Sequence, residues 1–160
     1  MTPEDETYIH LDECIRSLNE AWHVAQEVRR TAQKSAITAA AYRYALVAYA
    51  RPYTDSDGIH RNRKNRNAYK RKPPQLLAIE EIALHDEILR LRNKILAHSD
   101  LTVKDAKLYV GRYGSQSKAV IGSNIQPSLP DVSAVIRLIE HSLDALYAER
   151  TEREEEFGKA

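Results

Sequence analysis

The chain has 160 residues, 42% hydrophobic and 29% charged, with only five Gly and six Pro. That is the make-up of a globular protein, and it excludes collagen-like, mucin-like and linker-like chains. The one cysteine, Cys14, excludes an intrachain disulfide framework and a cysteine-based zinc site, and 24 Lys and Arg against 23 Asp and Glu leave a net charge of +1 that names no partner by itself.

The length suits one domain, residues 1–160. No uncharged apolar run approaches the ~18–20 residues needed to span a bilayer, and the acidic start, Met1 to Asp12, is unlike a signal peptide. A cytoplasmic protein without membrane insertion is the expectation, in keeping with the lone thiol.

From about Asp5 to Arg30, the apolar residues Tyr8, Leu11, Ile15, Leu18, Trp22 and Ala25 recur at steps of three and four, which predicts an amphipathic helix. Its start is signalled by Thr2 as cap, Pro3 at the first helical position, and Glu4 and Asp5 against the helix dipole. A second helix runs from about Ser35 to Arg51 through Ile37, Tyr42, Tyr44, Leu46, Val47 and Tyr49; apolar on most sides, it reads as the most enclosed, and it stops before Pro52.

Residues 52–74 hold Pro52, Gly58, Pro73 and Pro74 without any apolar period. They also hold Arg61, Arg63, Lys64, Arg66, Lys70, Arg71 and Lys72 with no acid between His60 and Lys72, leaving the rest of the chain net acidic. The expectation is a long, mobile, cationic loop. It suits an RNA backbone, since neutralised phosphates release counterions and Tyr69 could stack on a base; a merely solvated loop would carry the same charges.

Leu76 to His98 is again helical, and a last helix runs from about Leu129 to Glu156 through Val132, Val135, Ile136, Ile139, Leu143 and Leu146, opened by Ser128, Pro130 and Asp131. Its acidic end, Glu152 and Glu154 to Glu156, is expected to fray. In the region 101–126 between these helices, Lys107 to Tyr113 and Lys118 to Ile121 are β-prone around Gly114 and Ser115, predicting a small hairpin. The fold class is therefore all-α: a four-helix up-and-down bundle with a basic loop insertion and a small β-hairpin between the third and fourth helices.

At about 100° per residue, Leu77, Leu84, Ile88, Leu91, Ile95 and His98 fall within about 40° of one line, the core-facing seam of the third helix. Ile82, His85, Leu89, Arg92 and Leu96 form a second arc, so the non-solvent face exceeds the ~100° that a surface helix needs. Either a second subunit covers the excess or the helix is central in its own bundle. Arg92 lies amid Leu89 and Leu96, where its guanidinium calls for an acid, a phosphate or water.

The string Leu91-Arg92-Asn93-Lys94-Ile95-Leu96-Ala97-His98-Ser99-Asp100 resembles the signature of the HEPN superfamily (higher eukaryote and prokaryote nucleotide-binding), in which Arg, often followed by a polar residue, precedes His by four to six intervening positions. Here five residues intervene, Asn93 fills the polar position, and the motif lies on the third of four helices. Ten residues match closely and most of the chain loosely, with particular similarity to abortive-infection-type bacterial members.

The resemblance implies a HEPN-like helical domain acting as a metal-independent endoribonuclease of toxin or phage-defence type, without cofactor. Two subunits would pair around the motif helices, and the RNA's own 2′-hydroxyl would attack, leaving a cyclic phosphate. His98 would move or orient protons, Arg92 clamp phosphate, and Asn93 assist. Six steps set His98 about 240° around the helix and ~9 Å along it from Arg92, so convergence requires a homodimer.

The implied partners are RNA, a second copy and, for a toxin, a cognate antitoxin. Some relatives are silenced by nucleotidylation of a tyrosine two places beyond the motif histidine; Asp100 stands there in this chain, against that type of antitoxin.

Other readings stay open on the residues alone. Arg92 and His98 also fit an interface arginine and a helix-terminal histidine favoured by the dipole, and a non-catalytic helical module could bind RNA, nucleotide or protein through the same groove. His10 and Cys14, four apart on a seam, are assigned to packing rather than to a metal. His23, His60, His85 and His141 lack metal or triad spacing, His85 alone being placed to border a cleft near Arg92, while Asp55, Asp57 and His60 allow a loop site.

Overall fold

The computed structural model describes residues 1–61, 64, 68–75, 77–93, 106–113, 116–123 and 128–158. These residues are mostly helical, with four α-helices among them: α1 (Pro3–Arg30), α2 (Ala36–Ala50), α3 (Ile79–Leu91) and α4 (Val132–Phe157).

α1 begins where its sequence directs. The Thr2 hydroxyl accepts from the Asp5 N–H at 3.1 Å, and the Asp5 carboxylate accepts from the Thr2 N–H at 2.7 Å, so each satisfies a donor the helix leaves unpaired. Its seam buries Leu11, Cys14, Ile15, Leu18, Ala21 and Ala25. Tyr8 and Trp22 lie at the seam's edges and turn their polar tips to α4, Tyr8 Oη donating to Glu154 at 2.7 Å and Trp22 Nε1 to Glu140 at 2.8 Å. With Asn19 donating to Tyr147 at 2.8 Å, rising numbers on α1 meet falling numbers on α4, so the two helices run antiparallel.

α2 is capped by Ser35, whose hydroxyl accepts from the Thr38 N–H at 3.1 Å, and ends in a 3₁₀ turn, Arg51–Tyr53, where Pro52 has no N–H to continue the helix. Tyr42, Ala45, Leu46, Ala48 and Tyr49 are buried. The enclosure expected of α2 is nevertheless one-sided, because Ile37 is 82% exposed and Tyr44 39%.

α3 starts three residues later than its periodicity suggests. Pro73 and Pro74 hold the preceding chain out of helix, and Leu77 enters the core from a turn in which its N–H donates to Pro74 O. Beyond Leu91, Arg92 and Asn93 take a wider, π-type turn. The remainder of the expected third helix, including Ile95 and His98, lies outside the described residues.

α4 is capped by Asp131, whose carboxylate accepts from the Ala134 N–H at 2.9 Å, and buries Val135, Ile136, Leu138, Ile139, Ser142, Leu143 and Leu146. Its acidic end does not fray as expected: the helix persists through Phe157, whose ring meets Tyr8 edge-on at 5.5 Å, and Glu154 accepts the Tyr8 hydroxyl. Antiparallel packing delivers the first turns of α1 to this end and ties it down.

Leu11, Leu18, Leu46, Tyr49, Ile88, Val135, Leu138 and Ile139 meet in one core drawn from all four helices. The backbone of Ala106–Tyr113 pairs antiparallel with that of Gln116–Ser123, in a register running from Ala106 opposite Ser123 to Tyr113 opposite Gln116. Among the described residues no helix is long and apolar enough to cross a membrane.

The mobile loop expected over residues 52–74 is, in its described part, strapped to the helices instead. Ser56 and Tyr69 exchange two backbone hydrogen bonds of 2.9 Å, and Arg71 N–H donates to Pro52 O at 2.9 Å, which closes the base of the loop. Across its outer edge the Glu6 carboxylate accepts from the backbone N–H groups of Ile59 and His60. Tyr53 and Tyr69 are buried, so the segment contributes to the core rather than only to the charge.

Candidate functional site

Arg92 and Asn93 stand at the carboxyl end of α3, just past the buried Ile88 and Leu91 that anchor the helix. Arg92 is half-buried and Asn93 exposed, and Arg92 Nη1 donates to Asn93 Oδ1 at 2.8 Å. Both face an open pocket of about 310 Å³ walled also by Tyr53, Asp55, Lys70 and Leu89. Lys70 Nζ stands 3.9 Å from Asp55 Oδ1. The pocket thus gathers a guanidinium, an amide and an ammonium that shares its charge with the Asp55 carboxylate, and these three are donors of the kind a phosphate oxygen takes. His98 lies outside the described residues.

His85, placed by its spacing to border a cleft near Arg92, is instead a core residue. It is 3% exposed, its Nδ1 shares a 2.8 Å hydrogen bond with the Tyr49 hydroxyl, and the Tyr53 ring meets it edge-on at 4.6 Å. Burial holds its pKa below the usual histidine range, against a smaller upward pull from Asp86. Part of the excess apolar width of α3 is therefore covered within the chain, by Tyr49 and Tyr53, while Ile82 stays 42% exposed.

Of the basic run, Arg61, Lys64, Lys70 and Lys72 are exposed, whereas Arg63 and Arg66 lie outside the described residues. Arg71 is half-buried and ion-paired with Glu149, which fastens the loop to α4. Tyr69 is not available to stack on a base: it is 5% exposed, lies flat on His10 at 4.4 Å, and carries the Arg61 guanidinium 5.0 Å from its ring centre.

In comparison with known proteins, no family model, no curated protein and no solved structure matches this chain. Its function is therefore inferred from its own geometry.

Among the described residues, no three His, Cys, Asp or Glu side chains gather as a metal ion would require. His10 and Cys14 do touch, Sγ lying 3.7 Å from Nδ1, but Cys14 is buried and burial pushes its thiol up to about 11. It stays protonated and unreactive at neutral pH. His141 pairs with Glu81 at 2.6 Å, and His60 Nε2 lies 3.2 Å from Met1 O.

Glu6 is the residue that positions the loop. Burial alone would raise its pKa, but the N–H groups of His60 and Ile59, with the nearby His60 imidazole and the Tyr69 hydroxyl, outweigh it and hold the carboxyl below its ordinary value. In the sequence it is one more acid favouring the helix dipole, with no signal of this role. Asp55, which the sequence offers only as part of a loop site with Asp57 and His60, is set by the fold beside Lys70.

Proposed function

We propose that this chain is a HEPN-superfamily, metal-independent endoribonuclease of toxin or phage-defence type, cytoplasmic and active as a homodimer. The observation that carries the reading is the pocket in which Arg92 and Asn93, adjacent in the motif string, open together with Lys70 of the basic run. The half-buried Arg92 guanidinium is held by the neutral amide of Asn93, in a pose that leaves further N–H donors for a phosphate.

In this reading the four helices form an up-and-down bundle with the hairpin between α3 and α4, and the motif helices of two protomers lie side by side. The ribose 2′-oxygen forms a bond to phosphorus as the bond from phosphorus to the 5′-oxygen breaks. An imidazole of His98 takes the 2′-hydroxyl proton, a second, from the partner, supplies one to the leaving oxygen, and a 2′,3′-cyclic phosphate remains. Arg92 and Lys70 offset the charge that builds on the non-bridging oxygens, and Asn93 orients Arg92.

The test is cleavage of varied RNAs in chelator by the wild type, His98→Ala and Arg92→Ala, with sedimentation to follow assembly. Loss of cleavage by about 10²-fold or more in both variants, with the dimer retained, supports the enzyme. Equal inactivity of all three proteins while RNA is still bound would make the chain a non-catalytic binding module, and a stably monomeric wild type would remove the composite site.

A further inference from the structure

A second open pocket, of about 360 Å³, lies where α1, the basic segment and α4 meet. Arg61, Lys70, Arg71, Lys72 and Arg153 all line it, together with His10. Among the described residues no acid lines it. Four of these cations belong to one stretch of chain, but Arg153 arrives from the far end of α4.

The pocket is built rather than incidental. Behind it the Glu149 carboxylate pairs with Arg71 and accepts from Arg153 Nε at 3.2 Å and Nη2 at 3.1 Å, which fixes both guanidinium groups while neutralising only part of the charge. On the other side Arg61 is held over the Tyr69 ring, itself stacked on His10. The side chains therefore lose little freedom when an anion enters. His10 registers the excess charge: after burial, Arg71 and Arg61 are the causes that lower its pKa. Converging cations repel one another unless an anion lies between them, and planar guanidinium forks with flanking ammonium groups match phosphate oxygens better than a single carboxylate.

We propose that this pocket is a phosphate-binding site, distinct from the Arg92 pocket and joined to it through Lys70, which lines both. It accepts two or more linked phosphates, whether of a free polyphosphate or of successive RNA nucleotides. The proposal concerns binding alone and stands independently of RNA cleavage.

Calorimetric titration with inorganic tripolyphosphate tests it, using the wild type, Arg61→Gln/Arg153→Gln, and a control of equal charge change on the exposed face of α1, Arg16→Gln/Arg30→Gln. The wild type and the control should bind alike, and the pocket variant at least about tenfold more weakly. Should the pocket variant lose its helical circular dichroism, the exposed pair Arg61→Gln/Lys72→Gln, which lines this pocket and not that of Arg92, gives the same comparison.

A single-stranded RNA lacking terminal phosphates supplies the second arm. Competition with tripolyphosphate assigns the site to the RNA backbone, and binding of tripolyphosphate without competition assigns it to a free phosphate ligand. Equal affinity in pocket variants and control, or no wild-type binding below about 1 mM, overturns the proposal.

Discussion

The bond between the Tyr49 hydroxyl and His85 Nδ1 is enclosed, and although the Tyr49 hydroxyl also meets Ser142 and Tyr53, the His85 nitrogen takes its partner from Tyr49. Tyr49→Phe should therefore lower unfolding free energy by about 1–3 kcal/mol in a denaturant titration, since it strands a buried imidazole nitrogen. His85, together with His10 in the basic pocket, predicts a pH response. Burial lowers the folded-state pKa of His85, and burial with Arg71 and Arg61 lowers that of His10, so the unfolded chain takes up these protons first. Their contribution to stability is complete above the unfolded pKa of about 6.5 and is lost as the pH falls below it. Thermal midpoints measured from pH 7.5 to 5 should fall, and His10→Gln/His85→Gln should flatten the decline; a parallel decline in that variant would place the titration elsewhere.

Among the elements, the strapped segment after α2 departs furthest from its sequence-based expectation. Pro, Gly and a run of cations normally mark solvated chain, and nothing within residues 52–74 signals otherwise. What holds the segment is remote: Glu6 on α1 accepts its amides, Glu149 on α4 pairs with Arg71, and His10 supports Tyr69. Gly58 is the tight point, because a Cβ there would fall on the Glu6 carboxylate and press on Tyr69. Gly58→Ala should displace Glu6 and loosen the strap. Limited trypsin digestion, which cuts at the basic run, should then be faster than in the wild type with helical circular dichroism unchanged, and an unaltered cleavage rate would show that the strap does not depend on Glu6.

At the scale of the molecule, charge is segregated: a cationic edge made by the basic run and Arg153 lies on a chain that is otherwise net acidic. Long-range attraction of a polyanion to such an edge is screened by salt. Replacing Arg61, Arg63, Lys64 and Arg66 by Ser should weaken RNA binding and reduce the slope of log affinity against log salt by about 0.7 for each phosphate that is no longer neutralised. An unchanged slope would take these four residues out of the RNA path.

Although the return bond from the Thr2 N–H to Asp5 is seen in the structure, helix content, the Thr2 cap and the approximate starts of the second and last helices at Ser35 and Asp131 were readable in the chain itself, because the steps of three and four and a cap act between residues a turn apart. So was the Arg92–Asn93 pair as a place to look, through its string and its position after a buried seam. The setting of that pair was not readable, nor were the covering of His85, the burial of Tyr69 or the arrival of Arg153 beside the basic run. Each depends on side chains brought together from distant parts of the chain by packing of the apolar seams, and such contacts leave no period in the sequence.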